Sequence, residues 1–225
     1  MGVRFFSTKD RPIHLGPYPL ERLKRVEHAL DLSNVPATSP LDFRKLDTPH
    51  SLVNAMGEYQ AMMDVIRDGL VNSELAAAPT DPVERSKHLK SFGYFQDASM
   101  VGVCKVPQEA LLEIPTRNAD IDRLALDIRT RQTKTFASGI DEIMAALKDS
   151  VEAPRTPIQG QTYAIVVLFE QNRAVRPNEP GASWIFGAEN HRAALRATES
   201  AVILSSYLNL LGYSCLLYTS PSPRD

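Results

Sequence analysis

The chain has 225 residues, of which 43% are hydrophobic and 23% charged, with a formal net charge of −2. These proportions suit one large globular domain or two small ones with a real core. The near-neutral balance, without a basic run or basic face, argues against a nucleic-acid or anionic-membrane surface, and no apolar stretch approaches the roughly 20 residues that cross a bilayer.

Taken in chain order, Pro12, Pro17 and Pro19 around Gly16 exclude a continuous helix in residues 1–20 and predict an extended arm lying on the rest of the molecule. No apolar signal core and no twin-arginine pair stand there, so a cytoplasmic protein is expected. A short helix is expected from Glu21 to Leu30, followed by the polar, proline-punctuated connection "DLSNVPATSPLDFRKLDTPHS". From Ser51 to Val71, apolar residues fall at Leu52, Ala55, Met56, Tyr59, Met62, Met63, Ile66 and Leu70. That spacing predicts an amphipathic helix packed on this face.

"TDPVERSKHLKSFGYF" predicts a second helix, with Asp81 as cap, Pro82 at the first helical position and Gly93 as a left-handed stop. A strand is expected from Met100 to Val106, with Cys104 as a buried structural thiol. Ser138 caps an expected helix, "GIDEIMAALKDS". "TYAIVVLFE", Thr162 to Glu170, is apolar on both faces and reads as an interior strand covered on both sides. After a proline- and glycine-bearing loop, a long helix opens at Glu189 and Asn190. It carries Ala193, Ala194, Ala197, Ala201, Leu204, Leu208 and Leu211 on one side and stops at Gly212. Helices mixed with separated strands give an α+β or α/β arrangement.

Chemistry-bearing residues are sparse. Two cysteines, Cys104 and Cys215, are far apart and offer no disulfide framework and no CxxC metal spacing. His14 stands alone in the arm, and His28, His50 and His88 form no constellation. "RLALDIRTRQTK", with Arg123, Arg129, Arg131 and Lys134, alternates with aspartates as a solvated face does. Glu189, His191 and Arg192 point in different directions on a helix and are expected to form a solvated first turn. No phosphate loop, nucleophile elbow or HExxH motif is present. Trp184 and Phe186, in "GASWIFGAENHR" just before the long helix, are the candidate cofactor-binding residues: they line a flat cofactor or aromatic substrate, or else plug the core beneath the loop.

"FFSTKDRPIHLGPYPLERL", "LKSFGYFQDASMVGVCKV", "TYAIVVLFE" and "RAALRATESAVILSSYLNLLGYS" together resemble the N-terminal half of cobalamin-dependent reductive dehalogenases, in their soluble, non-respiratory branch. "FGYFQDASMVGV" and the helix ending in "LGYS" also resemble epoxyqueuosine reductases, and "RPIHLGPYPLERL" points to the dehalogenases. The resemblance implies an α+β, nitroreductase-like corrinoid-binding fold, cobalamin and two 4Fe-4S clusters in the intact protein, an organohalide substrate (commonly a halogenated phenol) and an electron donor. No nucleic-acid or membrane partner is expected, on the charge balance and apolar runs already described. A corrinoid- or flavin-binding module without dehalogenase activity is the alternative, beside an enzyme of the epoxyqueuosine-reductase kind.

This sequence departs from the family in lacking the paired cluster runs of the CxxCxxCxxxCP kind and the downstream tyrosine with its basic partner. No catalytic or metal-binding residue is therefore assigned, and Tyr207 and Tyr213 are expected to be packing residues. After "LGYS", the string "CLLYTSPSPRD" breaks the upstream periodicity, and Pro221 and Pro223 spoil strand pairing. It resembles translated sequencing-adapter read-through. The expected organisation is an arm and connection over residues 1–50, the first part of a corrinoid-binding domain over 51–214, and a non-native tail over 215–225. As a fragment the chain is expected to be inactive.

Overall fold

The computed structural model describes residues 10–22, 24, 52–65, 71–106, 161–171, 176–185 and 188–217. The expected helix at 138–150, the basic cluster 123–134, His28, His50, Phe186 and residues 218–225 lie outside them, as does most of the helix expected from Glu21 to Leu30. The described elements are two 3-10 turns (Ile13–Leu15 and Leu20–Arg22), helices α1 (Leu52–Val65) and α2 (Pro82–Phe95), strands β1 (Met100–Lys105) and β2 (Tyr163–Leu168), and helices α3 (Ala182–Ile185) and α4 (Ala188–Leu210). The mixed helix and strand composition expected from the sequence is present.

β1 and β2 pair antiparallel, with Met100 opposite Leu168, Val101 opposite Val167 and Lys105 opposite Tyr163. The pairing is extended by Ser99 N–H to the Leu168 carbonyl (2.7 Å) and Val106 N–H to the Thr162 carbonyl (3.0 Å). Strand alternation splits the ribbon into two faces. Val101 and Val167 point inward: Val101 is buried, and Val167 packs on a cluster of Ala201, Val202 and Leu217 that Met63 also touches. Met100, Cys104, Val166 and Leu168 take the other parity and are exposed. β2 is therefore not covered on both faces among the described residues, and Cys104 is an exposed thiol rather than a core one. Alternation alone puts Cys104 on the opposite side from Val101 and Val103.

α2 begins as its sequence requires. Asp81 Oδ1 accepts from Val83 N–H at 3.0 Å, and Pro82 occupies a position whose N–H would be unsatisfied anyway. Gly93 is not the stop. The helix runs on to Phe95, and Asp97 (φ 65°) takes the left-handed turn. Gly93 is buried where α2 meets the ribbon, and a Cβ there would lie 2.7 Å from Val101 Cγ2. Its role is close approach of helix to sheet.

α1 packs chiefly on α4, along a face turned from the one its apolar residues mark but sharing Met63 with it. Val53, Gly57 and Gln60 are buried, while Leu52, Ala55 and Tyr59 are exposed. Gln60 is buried with its Nε2 donating to Thr198 Oγ1 at 2.9 Å, which offsets part of the desolvation of an amide whose Oε1 has no partner among the described residues. α4 ends in a Schellman motif: Gly212 (φ 84°) donates to the Asn209 carbonyl and Tyr213 N–H to the Leu208 carbonyl, both at 3.0 Å. The segment after α1 supplies further donors to the helix end, with Asn72 N–H reaching the Asn209 carbonyl at 2.9 Å and Ala76 N–H the Leu211 carbonyl at 3.0 Å. No helix among the described residues is long and apolar enough to cross a membrane.

Candidate functional site

Residues 10–22 of the expected arm are coiled rather than extended, and Arg11 ties their turns together. Its Nε donates to the Gly16 carbonyl at 3.0 Å, one terminal nitrogen donates to the Leu15 and Tyr18 carbonyls at 3.1 and 3.0 Å, and both reach the Glu21 carboxylate at 3.0 and 3.2 Å. A planar guanidinium with five donors fills this fork geometry, which a lysine does not. The Glu21 hydrogen bonds push the Arg11 pKa up, and those from Arg11 hold the Glu21 carboxyl below its ordinary value. Arg11, Pro12, Ile13, Gly16 and Pro17 face Tyr94, Asp97 and Ala98 across an open depression of about 180 Å³. Tyr18 Oη donates to Glu170 at 3.0 Å, tying the arm to the end of β2. The arm is thus a fitted part of the fold.

A second group joins α2 to α4. Tyr207 Oη lies 2.9 Å from His88 Nε2, and its ring stacks on Phe92 at 5.3 Å. Packing, the expectation for Tyr207, holds, and the partner is a histidine that the sequence had left without a role. Nearby, Arg196 of α4 lies over the Phe169 ring at 5.2 Å and reaches Asp97 at 3.5 Å. The signal for these contacts was faint: His88 and Phe92 share a face of α2 at i, i+4, but Tyr207 is 119 residues away from His88.

Trp184 projects from the short helix α3 and is 67% exposed, with Ala182 as the buried anchor. It does not plug the core. Gly181 (φ 74°) turns the chain into α3, and Arg176 N–H closes the preceding loop on Glu179 Oε2 at 3.0 Å. His191 is 4% exposed and Arg192 exposed, so the first turn of α4 is not solvated as a set; the two point apart, and only Arg192 keeps the solvated place expected of it. His14 is half-buried in the first 3-10 turn.

Among the described residues no group of three or more His, Cys, Asp or Glu is placed to hold a metal ion. Each four-iron cluster takes four cysteine thiolates, and the whole sequence has two cysteines. The residues present do not fit an iron–sulfur cluster. What the geometry provides is a framework: a clamped arm, a helix-backed ribbon with an uncovered apolar face, and an exposed tryptophan.

Solved structures similar to this chain are reductive dehalogenases. The catabolic reductive dehalogenase NpRdhA is 30% identical with a TM-score of 0.61, the match covering 93% of this chain and 24% of that one. A reductive dehalogenase whose structure suggests a mechanism for B12-dependent dehalogenation is also 30% identical, with a TM-score of 0.61, over 93% of this chain and 23% of that one. NpRdhA in complex with 3-bromo-4-hydroxybenzoic acid matches at 30% identity and a TM-score of 0.60, over 92% and 23%. The chain spans about a quarter of the length of the solved structures it matches. No protein-family model matches the chain, and no curated protein does. The resemblance to cobalamin-dependent reductive dehalogenases read from the sequence is borne out in both sequence and fold.

Proposed function

We propose that the chain is the opening part of a cobalamin-dependent reductive dehalogenase, an oxidoreductase that removes halide from an organohalide. The observation that carries this reading is 30% identity sustained over 93% of the chain to a catabolic reductive dehalogenase. The complex of that neighbour with 3-bromo-4-hydroxybenzoic acid supports a halogenated phenol as the substrate class. In this reading the intact protein has a nitroreductase-like fold, works in the cytoplasm, binds cobalamin and two 4Fe-4S clusters, and takes electrons from a separate donor.

No step of halide removal is assigned to residues of this chain: among the described residues no group of three or more His, Cys, Asp or Glu is placed to hold a metal ion. Cobalamin, when bound, supplies the redox chemistry. The chain's contribution is the scaffold on which the rest of the enzyme packs. Its exposed apolar groups support this: Trp184 at 67%, and Val166 and Leu168 on the outer ribbon face at 44% and 49%. Side chains of this kind are normally covered when they form a contiguous patch. By itself the polypeptide is inactive and binds the corrinoid weakly.

The uninterrupted reading frame provides the test. It is expected to encode two four-cysteine runs and a tyrosine with a lysine or arginine partner, and its product is expected to release bromide from 3-bromo-4-hydroxybenzoic acid under reducing conditions. A frame without those features, or a product that binds cobalamin and releases no halide, overturns the dehalogenase reading in favour of a cofactor-binding module. Titrating hydroxocobalamin into the present chain while following Trp184, the single tryptophan, reads out any partial corrinoid site at α3.

A further inference from the structure

Along α4, Ser205 and Asn209 are 1% and 2% exposed. They lie one helical turn apart on the same face. Buried polar side chains need partners, and these two take theirs from a single residue of the following segment. Ser205 Oγ donates to the Cys215 carbonyl at 3.1 Å, and Asn209 Oδ1 accepts from Cys215 N–H at 3.0 Å. Both main-chain groups of Cys215 are thus satisfied by side chains, in the way a neighbouring strand would satisfy them. Two residues on, Leu217 is buried against Ala201 and Val202, with Met63 and Val167 alongside.

We infer that Ser205 and Asn209 form a slot that seats residues 213–217 by the main chain of Cys215, with Leu217 as the position whose side chain is read by α4. Main-chain hydrogen bonds carry no information about side-chain identity, so the slot accepts an extended segment of varied sequence provided that an apolar residue follows two places after the gripped one. This explains how "CLL", which breaks the periodicity upstream of it, is nonetheless held against α4. The inference concerns a seat within the chain and does not depend on the dehalogenase reading.

Cys215 itself is the reporter. Burial pushes its thiol pKa up, partly opposed by the Ser205 hydroxyl, whereas Cys104 is exposed. In the Cys104→Ser background, the rate at which an aromatic disulfide reagent releases its coloured thiolate follows release of the segment. Asn209→Ala is expected to raise that rate roughly fivefold, the factor typical of one lost hydrogen bond, and Leu217→Asp to raise it at least as much. Tyr213→Ser is expected to leave it unchanged. So is Ser200→Ala, which removes an equally buried hydroxyl that lacks a hydrogen-bond partner among the described residues. Amide exchange separates local release from unfolding: in Asn209→Ala the Cys215 amide loses protection while the amides of residues 201–204 keep theirs. An unchanged rate and unchanged Cys215 protection in Asn209→Ala overturns the slot, as does an equal acceleration in Ser200→Ala or Tyr213→Ser.

Discussion

His88 and Tyr207, 119 residues apart in sequence, meet at 2.9 Å between Nε2 and Oη and join α2 to α4. The same tyrosine ring stacks nearly parallel on Phe92, with 6° between planes. Two contributions are therefore separable. Tyr207→Phe keeps the stack and loses the hydrogen bond, which is expected to cost about 0.5–1.5 kcal/mol. Tyr207→Ala loses both and is expected to cost about 2–4 kcal/mol. Urea midpoints measure the two, and in a double-mutant cycle His88→Ala should add little to Tyr207→Phe. Fully additive effects would argue that the contact does not stabilise the fold.

Gly16 combines φ 72° with ψ −176°, a region essentially restricted to glycine. A Cβ there would also overlap the ring of Tyr94, whose hydroxyl accepts from Val101 N–H at 3.2 Å and so is not free to retreat. Gly16→Ala is expected to destabilise by about 1–3 kcal/mol from backbone strain alone, with the overlap adding to it. In a Tyr94→Ala background the substitution should cost less, because only the strain remains. Denaturant unfolding of the four proteins gives the comparison.

Replacement of Gly93 by alanine places two effects in opposition. Alanine gains about 1 kcal/mol of helix propensity over glycine, while the new methyl stands 2.7 Å from Val101 Cγ2, and overpacking a close contact costs about 1–3 kcal/mol. The expectation is net destabilisation by Gly93→Ala and a reversal of sign when Val101→Ala makes room. A stabilised single mutant would show that α2 is free to move away from the ribbon.

The Arg11–Glu21 pair makes the arm sensitive to acid. Hydrogen bonds from Arg11 lower the Glu21 pKa in the folded protein, so the folded value lies below the unfolded one. The stabilisation is complete above the ordinary glutamate value of about 4.3 and is lost as pH falls through the lowered folded value. The difference in unfolding midpoint between the protein and its Glu21→Gln variant should therefore shrink on acidification below about pH 4. A difference that stays constant across that range would dismiss the pair as a contributor.

Local chemistry made part of this protein legible before its structure. Asp81 and Pro82 start α2, Gly212 stops α4, and the apolar runs at Met100 and Thr162 become strands, because each signal acts within four or five residues of itself. The resemblance carried by those same segments led to the dehalogenase family. The candidate site was legible only in outline. Trp184 stands exposed at α3, Phe186 lies outside the described residues, and the clamp at Arg11 and the His88–Tyr207 contact gave no pattern to read.

The sequence by itself determined the starts of α1, α2, β1, β2 and α4 to within a residue, the caps at Asp81 and Gly212, and the scarcity of cysteines, two in the whole chain. Tertiary structure decided which faces are buried. Gln60 and Thr198, 138 residues apart, take interior places that hydrophobicity assigned to Leu52 and Tyr59. Gly93 became a contact point instead of a stop, and Cys104 faced outward. The reason is physical: periodicity and capping depend on near neighbours, whereas the cost of burying an amide, a hydroxyl or an imidazole is settled only by the partner that another part of the chain brings to it.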